Sequence, residues 1–171
     1  MCAIQVSTGE LYLTEARKRL AADRAQAEKA LAQVSDQELT WQPSSGSNSL
    51  AMIVQHVGGN LVSRWTDFLS TDGEKPDRDR DSEFEAHQQT RQQLFARWQQ
   101  GYACWDQTLA TLTEADLAKT VFIRAQPHTV IEAIERSISH SSHHIGQIVY
   151  LAKCIRDAEW QHISFPRRVK P

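Results

Sequence analysis

The chain reads as all-α, a four-helix bundle, on three observations. Four segments repeat apolar residues at helical spacing, Ser/Thr-x-x-Glu start signals recur, and the connections between the segments are of moderate length. At 171 residues the chain is the length of one ordinary domain, residues 1–171, and its apolar fraction of 40% and charged fraction of 23% are those of a globular protein.

Ser7 or Thr8 caps a first helix running to about Val34, with Leu13, Ala16, Leu20, Ala27 and Leu31 as its apolar stripe. A turn, SDQELTWQPSSGSN, follows. A second helix starts near Asn48 or Ser49 and runs to about Leu69, striped by Ile53, Val57, Leu61, Trp65 and Phe68. Gly58 and Gly59 inside it cost roughly 1 kcal/mol each relative to Ala. A close helix crossing, or a ligand near the backbone, would account for them. The segment TDGEKPDRDRD is charged in both signs, has no apolar residue, and reads as a solvent loop. Ser82 and Glu85 form an S-x-x-E box that opens a third helix to about Leu112. In the next connection VFI has the look of an extended stretch. Thr129 and Glu132 form a second box and start a fourth helix to about Arg156.

Composition excludes several classes of function. A net charge of −2 gives no global basic field for nucleic acid. No apolar run reaches membrane-spanning length, and the N-terminus lacks a basic segment followed by an apolar one, so no membrane is expected. Cys2, Cys104 and Cys154 have no motif spacing and suit a reducing, cytoplasmic setting.

The chemistry-bearing motif is HSSHH at 140–144. His140 and His144 are four apart on a helix, so their rings stack on one face and can share a metal. Position 141 is Ser, where a helical HExxH zinc motif has Glu, so the chain is not a metalloprotease of that kind. A third ligand must come from elsewhere, and His56 is the best candidate. At about 100° per residue, His140 and His144 flank the core stripe of their helix and His143 faces solvent. Gln147 follows His144 by three and can support it. His56 flanks the stripe of the second helix, and Asn60 shares its edge one turn on. His87, His128 and His162 read as surface residues. On spacing alone an inert histidine pair in a metal-free bundle remains the stronger reading. Three converging imidazoles would instead leave a metal with an open position, which is a catalytic arrangement.

Two segments carry a family resemblance: WQPSSGSNSLAMIVQHVGGNLVSRWTDFL and ISHSSHHIGQIVYLAK, which together set His56 before an HxxxHxGQ pattern. They resemble the DinB/YfiT-like superfamily of small bacterial four-helix proteins, over essentially the whole chain. The Trp-x-Pro before the second helix and ISFPR near the end resemble one branch of it for which no activity carries over. The ending FPRRVKP departs from that branch's polar tail. The resemblance implies a four-helix bundle with a long connection. It implies a divalent metal, zinc or nickel, on His56, His140 and His144; Asn60 and Gln147, by their own helix positions, can orient ligands or substrate. It also implies homodimers, and activities among thiol-dependent S-transferases, whose partner is a low-molecular-weight thiol, and metal-dependent hydrolases or isomerases. The competing functional class is a non-catalytic bundle that binds metal or a small ligand.

Overall fold

The computed structural model describes residues 6–85 and 89–164. Four long helices form the body: α1 (Thr8–Leu31), α3 (Leu50–Trp65), α4 (Arg91–Thr111) and α5 (Val130–Arg156). A one-turn helix, α2 (Asp36–Leu39), links the first two, and a hairpin of β1 (Thr120–Ile123) and β2 (Gln126–Thr129) precedes α5. α1 packs along α5, α3 packs along α4, and α3 also meets α5. The architecture is the all-α four-helix bundle that the patterning predicts, and no described helix is long and apolar enough to cross a membrane.

Capping chemistry sets the helix starts. Ser7 and Glu10 close a reciprocal box on α1, as Thr129 and Glu132 do on α5. Ser49 accepts from Met52 N at 3.2 Å to open α3. Each such cap contributes about 1 kcal/mol. Two helix ends fall earlier than periodicity predicts. α1 stops at Leu31, because Ser35 and Glu38 in SDQE make their own box and start α2. α3 stops at Trp65 rather than Leu69: Asp67 takes a left-handed backbone (φ 48°) and its carbonyl accepts from both Ser70 N and Thr71 N. Val34 and Phe68 stay buried without being helical.

The predicted start of the third long helix at Ser82 is wrong. Ser82–Phe84 makes a single 3-10 turn, and α4 begins at Arg91 behind a box of Thr90 and Gln93. The Ser82–Glu85 spacing does not propagate a helix because Glu83 turns inward to meet buried partners, and Glu85 is extended. VFI is a strand, as its β-branched and aromatic character suggests.

The core is dominated by Trp65, Trp98 and Trp105, all essentially sealed from solvent. Trp65 and Trp105 meet edge to face with centroids 4.5 Å apart. Gly58 marks the tightest helix crossing. A Cβ there would lie 2.9 Å from the Arg97 carbonyl oxygen on α4, and one at Gly101 would lie 2.7 Å from the Gly58 carbonyl. The two glycines therefore let α3 and α4 approach backbone to backbone.

Candidate metal centre

α5 is one uninterrupted helix through HSSHH, so His140 and His144 project from successive turns, with ring centroids 4.6 Å apart. α3 crosses opposite and brings His56 to them, its centroid 5.1 Å from His140 and 4.9 Å from His144. One nitrogen from each ring lies within 4.8 Å of the others. His56 Nε2 and His140 Nε2 are 3.1 Å apart. Two nitrogens about 2.1 Å from one ion are separated by about 3.0 Å at 90° and about 3.4 Å at the tetrahedral angle. The spacing of this pair lies inside that interval, and the three residues together form a group that could hold a metal ion.

Tautomers are set by the opposite ring nitrogens. His56 Nδ1 lies 2.9 Å from Glu83 Oε2. A carboxylate can only accept, so Nδ1 carries the proton and Nε2 presents its lone pair. His144 Nδ1 donates in the same sense to Gln147 Oε1 at 2.8 Å, which leaves its Nε2 free to ligate. His140 Nδ1 is buried with no hydrogen-bond partner among the described residues. Burial, then the adjacent His144 and His56 rings and the charges of Arg64 and Arg78, push the His140 imidazole down to about 3. Burial also lowers His144, against the opposing hydrogen bond to Gln147. Neutral imidazoles are the form that binds metal.

The segment before α4 is where expectation and structure differ most. TDGEKPDRDRD is exposed over much of its length but is not wholly a solvent loop: the side chains of Arg78 within it and of Glu83 in the turn after it are 4% and 7% exposed. Arg78 grips Glu83 with two hydrogen bonds, 2.9 Å to Oε1 and 2.7 Å to Oε2. Burial alone would raise the Glu83 carboxyl. The hydrogen bonds from His56 and Arg78, with the Arg78 charge, outweigh it and hold the group below its usual range. Gly59 explains itself here, since any Cβ at that position would collide with the Glu83 carboxylate. Phe84 lies against the His56 ring at 4.6 Å instead of lining a helix. Arg78, Glu83 and His56 thus form a buried relay of the carboxylate–histidine kind that orients metal ligands.

Of the other residues singled out in the sequence, Asn60 is 8% exposed and lines a cavity beside His56 and His140. Gln147 is exposed and touches only the His144 side. His143 is exposed and sits at the cavity rim, outside the three-ring cluster. His162 is exposed, but His128 is half-buried in β2, paired with Val121, and not a surface residue. His87, Cys2 and the FPRRVKP ending lie outside the described residues. Cys104 and Cys154 are free thiols. Spacing rules single out neither Arg78 nor Glu83: Arg78 lies in a run that reads as a solvated charge cluster, and Glu83 lies inside the segment that reads as the start of the third helix.

No curated protein matches the chain. Among solved structures it is similar to YfiT from Bacillus subtilis, described as a probable metal-dependent hydrolase with an unusual four-helix bundle topology. The TM-score is 0.68 at 18% identity, over 91% of this chain and 93% of that one. The fold is therefore the one expected from the DinB/YfiT-like resemblance. Residues 7–169 match the family model described as Protein of unknown function (DUF1572), and the chain belongs to that family.

Proposed function

We propose that the chain is a metal-dependent enzyme in which His56, His140 and His144 hold one divalent ion, zinc or nickel, beside a small-molecule cavity, and that it acts as a hydrolase or a thiol S-transferase. The observation that carries this reading is the convergence of three imidazoles from two helices, two of them with a ring N–H directed at Glu83 and Gln147. YfiT, described as a probable metal-dependent hydrolase, has the same fold and supports the choice of class. When bound, a divalent ion on three imidazoles supplies Lewis acidity that eases deprotonation of a water or thiol at neutral pH.

The chain's own residues hold and orient. Glu83, clamped by Arg78, keeps the proton on His56 Nδ1. Gln147 does the same for His144. Asn60 offers a donor and an acceptor at the cavity wall and cannot take a proton at neutral pH, so it positions substrate. The same reading places the protein in the cytoplasm, where free Cys104 and Cys154 are stable, and makes it a homodimer, with Trp41, Phe122 and Tyr150 as exposed apolar side chains available for an interface.

The test is elemental analysis of untagged protein purified without added metal, followed by a substrate panel. The panel pairs bacterial thiols with alkylating and epoxide electrophiles, alongside amides and esters. About one equivalent of zinc or nickel, and turnover that His56→Ala abolishes, is the expected result. Metal that stays bound in the triple-histidine variant would end the assignment. Metal binding without turnover on either arm of the panel would leave a metal-binding bundle in place of an enzyme.

A further inference from the structure

A cavity of about 340 Å³, within the range of small-molecule sites, opens between α3, the β1–β2 hairpin, α5 and the segment before α4. His56 and His140 form part of its wall. Four arginines also line it, Arg64 from α3, Arg80 from the segment before α4, Arg124 from the hairpin tip and Arg136 from α5, among uncharged residues and with no carboxylate.

These arginines are poorly neutralised. One carboxylate, Glu74, is shared by three guanidiniums: Arg124 at 2.9 Å, Arg78 at 3.3 Å and Arg64 at 3.7 Å. Arg80 reaches only the exposed Asp81, at 3.4 Å. Arg136 makes no ion pair among the described residues. Arg64 is 6% exposed, and its buried Nη1 has no hydrogen-bond partner among the described residues. A buried guanidinium short of acceptors is costly, and an anion in the adjoining cavity would offset its charge. Burial first, and then the charges of Arg78, Arg136 and Arg124 against the opposing Glu74, push Arg64 down to about 10, the mark of a crowded positive site.

The fold also holds one of these arginines in place at a conformational cost. Arg124 and Ala125 both take left-handed backbone, φ 54° and 59°, at the two-residue turn of the hairpin. Neither is glycine, and such residues store of order 1 kcal/mol or more each. Asp72 accepts from both of their backbone N–H groups, at 2.9 and 2.7 Å, and so fixes the tip over the cavity.

We propose that this arginine-walled cavity binds an oxyanion group, carboxylate or phosphate, of a small-molecule substrate and thereby delivers the rest of that molecule to the histidine centre. The substrate class rests on the enzymatic reading above. The anion site itself does not need metal, which allows the two to be tested apart.

The experiment is calorimetric titration of chelator-treated protein with inorganic phosphate and, separately, with succinate, at constant ionic strength in chloride. Saturable one-to-one binding of at least one probe is expected. Arg136→Gln, on an exposed side chain whose loss does not threaten the fold, should weaken it about tenfold, the size of one charge-assisted contact. Arg64→Gln should weaken it at least as much wherever circular dichroism shows it folded. Lys153→Gln, an equal charge change elsewhere on α5, should alter it less than twofold. Phosphate binding alone assigns a phosphate ester, and succinate binding alone a carboxylate. Absence of saturable binding by both probes, or equal weakening by Lys153→Gln and Arg136→Gln, overturns the proposal. Metal content of the same preparations before chelation separates its failure from failure of the metal centre.

Discussion

The two halves of the histidine centre are built in different ways. His140 and His144 need only one continuous helix, and their partner Gln147 lies a turn away on the same element. His56 needs a second helix at close range, a glycine at 59 to make room, and a buried Arg78–Glu83 pair from a connecting segment. The α5 half is local and half-exposed, while the α3 half is assembled from distant parts and sealed. The same chemical task, fixing the tautomer of a ligand, is done by a solvent-facing amide on one side and a buried carboxylate on the other. The sealed half should contribute more to the stability of the metal-free protein than the exposed half.

That contrast is most directly broken by removing one ligand from each half. His144→Ala and His56→Ala should both fall from about one metal equivalent to none by elemental analysis. Their stabilities should differ. His144 is half-exposed and its loss should cost well under 1 kcal/mol in denaturant unfolding of the metal-free protein. His56 is 4% exposed, against the partly exposed edge position its helix phase suggests, and its loss leaves Glu83 without one buried donor. About 1–3 kcal/mol is expected there. Equal stability of the two variants would remove the distinction.

The difference in construction also explains what was legible in the sequence. The His140–His144 pair shows because i, i+4 spacing is a local rule, and the helix carrying it has a matching start box. His56 could be nominated only as a flanking histidine on an apolar helix. Neither Arg78 nor Glu83 can be nominated from sequence: Arg78 lies in a run of mixed charge that reads as solvated until tertiary structure buries it, and Glu83 lies inside what reads as the first turn of a helix. Box spacing worked at Thr129, misfired at Ser82, where the glutamate at 83 is drawn inward, and was overlooked at Ser35 inside a polar stretch. A net charge of −2 likewise hides the cationic cavity, because composition averages over sites that folding separates.

The sealed half should be the more sensitive to its supporting residue. Glu83→Ala leaves the Arg78 guanidinium buried without its main partner and should cost about 3–5 kcal/mol. Glu83→Gln keeps the shape and should chiefly weaken metal, about 10–100-fold in competition with a chelator. Gln147→Ala, on the exposed side, should weaken metal by a smaller factor, since water can replace the amide oxygen. A larger loss from Gln147→Ala than from Glu83→Gln would reverse the comparison.

Assembly is a separate expectation. Tyr150 is 72% exposed on α5, and Trp41 is 46% exposed beyond α2, whereas Trp65, Trp98 and Trp105 are sealed. A homodimer covering the first two should be the species seen by light scattering at about 100 μM, above the dissociation constants of ordinary obligate dimers. A monomer at that concentration would end the dimer assignment.

The smallest effect expected is at His143, and it tests the face assignment within a single helix. His143 and His144 are adjacent, so about 100° of rotation separates their side chains. His144 turns to His56 and His140, while His143 stays exposed at the cavity rim. His143→Ala should therefore keep its full metal equivalent and change unfolding stability by less than about 0.5 kcal/mol, as surface substitutions do. Paired with His144→Ala in one elemental analysis, it converts the helical phase of α5 into a yes-or-no measurement. Metal lost equally from both variants would mean that the local half of the centre is not the single-face pair that its spacing describes, and that α5 presents a broader histidine surface to the ion.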